Sequence, residues 1–219
     1  MHFEILVEDQ SGGKALETIV PQIITQKDSF RIHTYKGIGR VPKNMKDTKN
    51  AEHRILLENL PKLLKGYGKA FKTSPTDRPA VVILVCDLDD KCPKAFREEL
   101  LNILNSCRPK PKTEFCFAIE EGEAWFLGDL KAIKIAYPKA KDGVLATYVN
   151  DSICGTWEKL ADAIYAGGSQ KLIKKGWQAI GAEKHKWATE IPPRMDVNIN
   201  KSQSFCYFRD RLIKLSATA

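Results

Sequence analysis

The feature that most constrains the fold is the unbroken apolar run AVVILVC at residues 80 to 86. A run of this length that contains several β-branched residues is typical of a strand buried on both faces. Such strands occur in parallel sheets, because helices cover both faces of those sheets. The run therefore predicts a central strand of an α/β fold. It ends in the acidic sequence Asp87-Leu88-Asp89-Asp90.

Further strands and helices are predicted to alternate along the first part of the chain. The additional strands are expected at residues 3–7, 30–35 and 114–119. The intervening helices are expected at about residues 14–24, 51–68 and 94–106. The remainder, from residue 130 to 219, has little strand signal. We therefore expect an α/β, Rossmann-like fold with a mostly parallel sheet flanked by helices, and a helical C-terminal region.

The start of the chain predicts how the first strand leads into the first helix. The segment from Glu8 to Gly13 is expected to be a glycine-rich turn, and Ser11 or a neighbouring residue is expected to cap the helix. Pro21 is expected to interrupt or kink that helix. This order of strand, turn and helix is the opening of a β-α-β unit.

The length of 219 residues allows one sizeable core. We divide the chain into a core at residues 1–130 and a helical extension at residues 131–219, which pack together as one compact domain. A membrane span is not expected, since no apolar run approaches about 18 residues. The N-terminal sequence MHFEILVEDQ has acids within its apolar run, so it predicts a strand rather than a secretory signal. A cytoplasmic location is expected.

Acidic residues follow three of the four predicted strands, at the edge where parallel sheets bind ligands. These acids are Glu8 after the first strand, Asp87 and Asp89 after the central strand, and Glu120, Glu121 and Glu123 after the last. Residues two apart in an extended segment point the same way, so Asp87 and Asp89 are expected to converge on one ion. Carboxylate oxygens suit Mg²⁺ or Mn²⁺, which can polarise a phosphodiester and activate water.

Each of these acids also has a simpler interpretation. Asp is a favoured turn former, so any one of them can be an ordinary surface residue. The pattern does not decide among the last three, although Glu123 is the first choice as a ligand and Glu120 the second. At least one of those three is expected to be exposed, or to cap the helix that follows, where acids are favoured.

The chain is basic overall, with a formal net charge of +8. A basic surface around an acidic pocket is what a metal-dependent enzyme needs when its substrate is a polyanion, although solvated lysine faces are the alternative. Lys14, at the start of the first helix, and Lys36 and Arg40, after the second strand, are candidates for contact with phosphates. The sequence GGK lacks P-loop spacing, so ATP hydrolysis by this chain is not expected.

The order of the acidic motifs resembles the Toprim fold, the metal-dependent core of topoisomerases, primases and overcoming-lysogenization-defect (OLD) nucleases. More closely, the chain resembles a bacterial Toprim-like family catalogued as domain of unknown function 4276. The matching segments span residues 3 to 212: FEILVEDQSGGKALE, YKGIGRVPKN, VVILVCDLDD, AIEEGEAWFLGD and NKSQSFCYFRDRL. The motif E-x-E-A-W-F-L and the late S-x-S-F make the combination more specific than D-x-D alone.

The resemblance implies a Mg²⁺-dependent nuclease acting on DNA or RNA. Glu8 matches the Toprim glutamate, and Asp87 and Asp89 match its D-x-D motif. Glu123 is a further catalytic candidate because of its position after the last strand, not because of the resemblance. Lys201 becomes a candidate nucleic-acid contact because it lies in the last matching segment. The resemblance also implies an effector role beside an AAA-type ATPase in anti-phage defence, and Toprim nucleases often form homo-oligomers.

One position departs from the OLD-type pattern. Those sequences commonly carry a second glutamate four residues after the first, where this chain has Gly12. Glu121 or Glu123 could supply a replacement ligand. The alternative interpretation is a catalytically inactive Toprim-like subunit that docks nucleic acid or an ATPase partner. Phosphoryl or glycosyl transfer is less favoured, because the Asp motif of haloacid-dehalogenase-like phosphatases follows the first strand.

Overall fold

A computed structural model describes residues 1–40, 55–73 and 79–218 of the chain. Within these ranges one four-stranded sheet has the order β2-β1-β3-β4, and every neighbouring pair is parallel. Its strands are β1 His2–Val7, β2 Ser29–Thr34, β3 Ala80–Asp87 and β4 Thr113–Ala118. The predicted α/β, Rossmann-like fold with a parallel sheet is therefore confirmed, and the apolar run forms an interior strand.

Helices cover the sheet and make up most of the C-terminal half. The first four are α1 Gln10–Ile19, α2 Leu56–Thr73, α3 Pro93–Ser106 and α4 Glu123–Leu127. The next six are α5 Leu130–Ala136, α6 Asp142–Leu145, α7 Thr156–Ile164, α8 Gly168–Ile173, α9 Trp177–Glu190 and α10 Gln203–Ala217. The predicted helical C-terminal region is confirmed. No helix in the described ranges is long and apolar enough to cross a bilayer.

The first helix begins earlier than the sequence predicted. Asp9 caps α1, because its Oδ1 accepts a hydrogen bond from the Gly12 backbone N–H at 2.6 Å, so the expected glycine-rich turn is the first turn of the helix. Gly13 lies against β2, where an added Cβ would be 2.3 Å from Cγ2 of Thr34. Glycine therefore lets the helix approach the sheet. Pro21 ends the α-helix as predicted, in a 3-10 turn at Val20–Gln22.

The two faces of the sheet carry separate apolar layers. Alternate residues of β1 and β3 point to opposite faces, as the strand period requires. One layer packs under α2 and α3, and it includes Leu6, Leu84, Leu60 and Leu100. The other joins Phe3 and Ile83 to α1 and to the C-terminal helices through residues such as Trp187, Phe205 and Phe208. The division at residue 130 stays a prediction. The first residues of the helix predicted at about 51–68 lie outside the described ranges, as do residues 41–50 and 74–78.

Helix α9 runs in the same direction as α1 on the second of these faces, because Gly12 and Lys184 line one cavity while Gln22 contacts Pro192 further along both segments. The two helices pack along each other, and the 3-10 turn Pro192–Arg194 that follows α9 also packs on α1. Near their C-terminal ends, Nε2 of Gln22 donates a hydrogen bond to the Pro192 carbonyl at 3.3 Å. Because α1 starts just after β1, the N-terminal end of α9 lies toward the carboxyl edge of the sheet.

Candidate metal centre

The acidic residues after β1 and β3 meet at the point where the strand order reverses. Val7 pairs with Val85 in parallel register, so Glu8 follows the end of β1 beside Asp87, the last residue of β3. The chain leaves β1 toward β2 on one side, and β3 lies on the other side. Open α/β sheets bind ligands in the crevice at such a position. The topology therefore places these two carboxyls where a ligand site is expected.

Glu8 and Asp87 face a small cavity of about 50 Å³. Oε2 of Glu8 accepts a hydrogen bond from the Asp87 backbone N–H at 3.0 Å, which fixes one carboxylate against the end of the neighbouring strand. The cavity is also lined by Glu123 and Lys184, with Trp125 among its apolar walls. One water molecule needs about 10 to 15 Å³ of cavity volume, so this cavity has room for an ion or a few waters.

Helix α4 brings in the third acid. Glu123 begins this helix and is 4% exposed. Its Oε2 lies 3.2 Å from Nζ of Lys184, and the same ammonium lies 3.5 Å from Oε1 of Glu121. Oε2 of Glu121 accepts a hydrogen bond from the Trp157 backbone N–H at 3.2 Å. Both of these ligand candidates contact a lysine that the sequence did not identify.

The position of α4 is set by contacts with the start of α10. Nε1 of Trp125 donates to Oγ of Ser204 at 3.0 Å, and Nδ2 of Asn200 donates to the Trp125 carbonyl at 2.8 Å. The side chain of Asp151 accepts hydrogen bonds from the Ser202 hydroxyl at 2.7 Å and from the Ser204 backbone at 2.8 Å. The motifs E-x-E-A-W-F-L and S-x-S-F are therefore joined by a buried polar network that holds Glu123 beside the cavity.

Burial raises the pKa of all four clustered carboxyl groups. It raises the pKa of Glu8 to about 7 against the lowering effect of the Asp87 hydrogen bond, and it raises that of Asp87 well above its usual range, with the Glu8 charge acting in the same direction. Burial also raises the pKa of Glu121 to about 7, and it raises the pKa of Glu123. The positive charge of Lys184 opposes both shifts. Burial therefore disfavours the ionised forms of these four carboxyl groups, and the positive charge of Lys184 offsets only part of that effect.

Lys184 is the residue of this acidic cluster that the sequence did not single out. Burial acts to lower its pKa, but the charges of Glu123, Glu121 and Asp87 outweigh burial and raise it. On α9 it lies in the apolar stripe Ile180, Trp187, Ala188 and Ile191, which faces the core. A lysine in an otherwise apolar helical stripe is the sequence signal that could have identified it.

Asp89 lies outside the cavity that Asp87 lines. Its side chain is 51% exposed, and Oδ2 forms a salt bridge with Lys91 at 2.8 Å. The expected convergence of the two aspartates assumed extended backbone, whereas Asp89 has φ of 51° and pairs with Glu120 in an isolated bridge. Its charge nevertheless contributes to the raised pKa of Glu8. The structure therefore places Asp89 at the rim of the site.

Glu120 caps a helix instead of facing the cavity. Its carboxylate accepts hydrogen bonds from the backbone N–H groups of Cys154, Gly155 and Thr156, at 3.1, 2.9 and 2.9 Å, and from the Thr156 hydroxyl. Burial acts to raise its pKa, but these hydrogen bonds outweigh burial and lower it. At least one of the three acids was expected to be exposed or to cap the helix that follows. Glu120 caps α7 rather than α4.

The basic candidates are exposed and do not contribute to the acidic cavity. Lys14 forms an exposed salt bridge with Glu17 at 3.0 Å. Lys36 and Arg40 are exposed beyond the end of β2, and Lys201 is exposed before α10. The residues that line the acidic cavity do not include these four. They remain candidates for contacts with a large substrate rather than with the metal.

The position of the missing glutamate is closed to a side chain. A Cβ at Gly12 would lie 2.8 Å from Cγ2 of Val7 and 3.0 Å from Oδ1 of Asp9. Real Cβ contacts are essentially never as short as the first of these distances. A second acid at this position therefore requires the Val7 side chain or the first turn of α1 to shift.

The chemistry of the donors fits a hard divalent cation, although the side chains are not arranged as a ligand set. Among the described residues, no three His, Cys, Asp or Glu side chains are gathered in a metal-ligating geometry. Four carboxyls that share the single charge of Lys184 have raised pKa values, so additional positive charge would stabilise their ionised forms. Carboxylate oxygens are the ligands that Mg²⁺ and Mn²⁺ prefer.

Comparisons with known proteins identify no relative. A scan against protein-family models found no match, and neither the curated proteins nor the solved structures gave one. The resemblance to Toprim-like proteins therefore stays a prediction that rests on the motifs quoted above.

Proposed function

We propose that this chain is a Mg²⁺- or Mn²⁺-dependent nuclease that hydrolyses phosphodiester bonds in nucleic acid. The observation that carries the proposal is the convergence of Glu8, Asp87 and Glu123 on one cavity at the switch point of a parallel sheet. Those three residues would hold the metal, with Asp89 at the rim and Glu121 behind Lys184. The Toprim resemblance supports the same assignment of Glu8 and the D-x-D motif.

If Glu8, Asp87 and Glu123 hold a divalent ion, that ion would supply Lewis-acid chemistry toward a phosphoryl oxygen and would make water more acidic. The chain itself supplies the positions of the acids. The Asp87 N–H group orients Glu8, and the Trp125 network orients Glu123. The pKa of the Glu8 carboxyl is about 7, so part of the protein carries this proton at neutral pH. Binding of a divalent cation by Glu8 is therefore expected to release protons.

The substrate class is supported by charge. The chain has an excess of eight positive charges although its candidate site is acidic. Lys36 and Arg40 lie beyond the carboxyl end of β2, on the same edge of the sheet as Glu8 and Asp87. Exposed cations around a carboxylate cavity can bind the phosphates on either side of a cleaved bond. A long polyanion therefore fits better than a small neutral substrate.

Cleavage assays with two neutral isosteres test the proposal. Asp87→Asn and Glu8→Gln are expected to lower the Mg²⁺- or Mn²⁺-dependent cleavage of labelled DNA and RNA by about 100-fold or more, because each removes a charged ligand. Glu17→Gln is the matched control, since Glu17 is an exposed acid on α1. Undiminished cleavage by both site variants, or equal cleavage in EDTA, would contradict the metal-dependent mechanism.

A catalytically inactive binding subunit is the second candidate, and Lys184 favours it. Its ammonium already contacts Glu121 and Glu123, and Gly12 leaves no room for a second N-terminal glutamate. This alternative expects nucleic-acid or ATPase binding without divalent-dependent cleavage by the wild-type protein. Cleavage that requires Asp87 would exclude it.

The proposed partners rest on the Toprim resemblance alone. They are an AAA-type ATPase, for which the chain would be the effector subunit in anti-phage defence, and a second copy of the chain in a homo-oligomer. A cytoplasmic location belongs to the same proposal. An ATPase gene adjacent to the coding sequence, and co-purification of its product with this chain, would support the effector role.

A further inference from the structure

Trp177 is the most exposed of the large apolar side chains in the described residues. Its exposed fraction is 83%, whereas Trp125, Trp157 and Trp187 are 4%, 9% and 1% exposed. An exposed indole contributes nothing to the core, and it leaves a large apolar ring face in water. Trp177 is the first residue of α9, the helix whose Lys184 lines the acidic cavity.

The face of α9 that carries Trp177 is the face that carries Lys184. Seven residues separate them, which is almost two helical turns, so the two side chains lie within about 20° around the helix axis. The rise of about 1.5 Å per residue places their Cα atoms about 10 Å apart. Lys184 contacts Glu123 at 3.2 Å, so Trp177 extends the same face beyond the acidic cavity.

The direction of α9 places Trp177 at the mouth of the site. The C-terminal ends of α1 and α9 meet at Gln22 and Pro192, and both helices begin toward the carboxyl edge. Counted back from Gln22 and Pro192, α9 starts about three residues further away than α1 does. At the helical rise, the start of α9 therefore extends roughly 4 to 5 Å beyond the start of α1. Side chains on a helix lean toward its N-terminus, which carries the indole further outward.

The surroundings of Trp177 are basic. Lys171, Lys174 and Lys175 precede it in α8 and in the turn between α8 and α9, and all three are exposed. Nζ of Lys175 lies 5.5 Å from the ring centroid of Tyr165. An exposed aromatic ring beside cations is the combination that binds single-stranded nucleic acid, because the ring stacks on a base and the cations contact the phosphates.

We propose that Trp177 is a base-stacking platform that selects unpaired nucleic acid for the acidic cavity, which is lined by Lys184 about two helical turns further along α9. Bases in a duplex have their faces covered by neighbouring bases, so they cannot stack on the indole without local unpairing. The inference rests on the proposed function for its substrate class, and it adds single-stranded DNA or RNA as the specific substrate.

Binding measured without catalysis tests the proposal. Fluorescence anisotropy in EDTA compares oligo(dT), oligo(rU) and a blunt duplex of about 15 nucleotides, a length within the span of single-strand grooves. Trp177→Ala and Trp177→Leu are expected to weaken single-strand binding by about 5- to 150-fold, with duplex binding changed by less than about twofold, and Trp177→Tyr is expected to retain most of the affinity. The two single strands distinguish DNA from RNA.

Two results would overturn the stacking role. One is equal single-strand affinity of the wild type and Trp177→Ala, which would leave the indole for a protein partner. The other is a wild type that binds the duplex as tightly as the single strands. These outcomes are independent of the proposed function: Trp177-dependent binding by a protein that cleaves nothing would refute the nuclease and leave the platform standing.

Discussion

Replacing Glu8 with glutamine is expected to stabilise the metal-free protein at about pH 8, although it removes a proposed ligand. Burial raises the pKa of Glu8 from 4.5 to about 7. The folded protein therefore binds this proton more tightly than the unfolded chain does, so its stability falls as the pH rises from about 4.5 to about 7. Above about pH 7, Glu8 is ionised in both states, and the loss of folding stability caused by burying its charge is complete.

The size of the effect follows from the two pKa values. The pKa of Glu8 is about 7 in the folded protein and 4.5 in the unfolded chain. At 1.36 kcal/mol per pKa unit, this difference lowers the free energy of unfolding by about 3 kcal/mol when Glu8 is ionised. The glutamine carbonyl can keep the hydrogen bond from the Asp87 N–H, but the new amide N–H₂ group is poorly solvated, which costs about 1 kcal/mol or more. A net gain of about 1 to 2 kcal/mol is expected at about pH 8.

Urea unfolding in EDTA, followed by circular dichroism, measures this gain. The difference between Glu8→Gln and wild type is expected to shrink by about 2 kcal/mol at about pH 5.5, because Glu8 is then mostly protonated in the folded wild type. Glu17→Gln is the control, with an expected change within about 0.5 kcal/mol at both pH values. A Glu8→Gln protein that is less stable than wild type at about pH 8, or a gain that does not depend on pH, would refute the reasoning.

Two further substitutions test the roles assigned to residues around the cavity. Glu120→Ala is expected to lower the free energy of unfolding by about 1 to 3 kcal/mol in urea, because three N–H groups of the α7 terminus lose their acceptor, while Mn²⁺ affinity stays unchanged. A large loss of Mn²⁺ affinity in that variant would instead make Glu120 a ligand. Gly12→Ala is expected to cost about 1 to 3 kcal/mol through its contact with Val7, and thermal unfolding with no loss would show that α1 shifts freely.

The sheet could be predicted from the sequence because its strands are short apolar segments whose character does not depend on distant contacts. Once the strands are parallel, their carboxyl ends share one edge, so the proximity of Glu8 and Asp87 follows from topology. The helix starts were less predictable, since the Asp9 cap and the close approach of Gly13 to Thr34 depend on how α1 packs against β2.

The details of the candidate site could not be predicted, because they depend on turns and on tertiary packing. The sequence analysis assumed that strand alternation continues through Asp89, which would point its side chain the same way as that of Asp87. That orientation is wrong, because the backbone of Asp89 is in the left-handed region. The spacing of Glu120 and Glu123 does not reveal that one reaches α7 and the other lies beside Lys184. Lys184 follows Asp87 by 97 positions, and only the packing of α9 on α1 brings it to the acids.

The central claim is that the acids at the sheet edge bind a divalent cation. Isothermal titration of the wild type with Mn²⁺ at about pH 7, in two buffers of different ionisation enthalpy, measures both affinity and proton release. We expect saturable binding with release of protons, and at least about tenfold weaker binding by Asp87→Asn. Absence of Mn²⁺ uptake by the wild type, or equal uptake by Asp87→Asn, would contradict the metal centre.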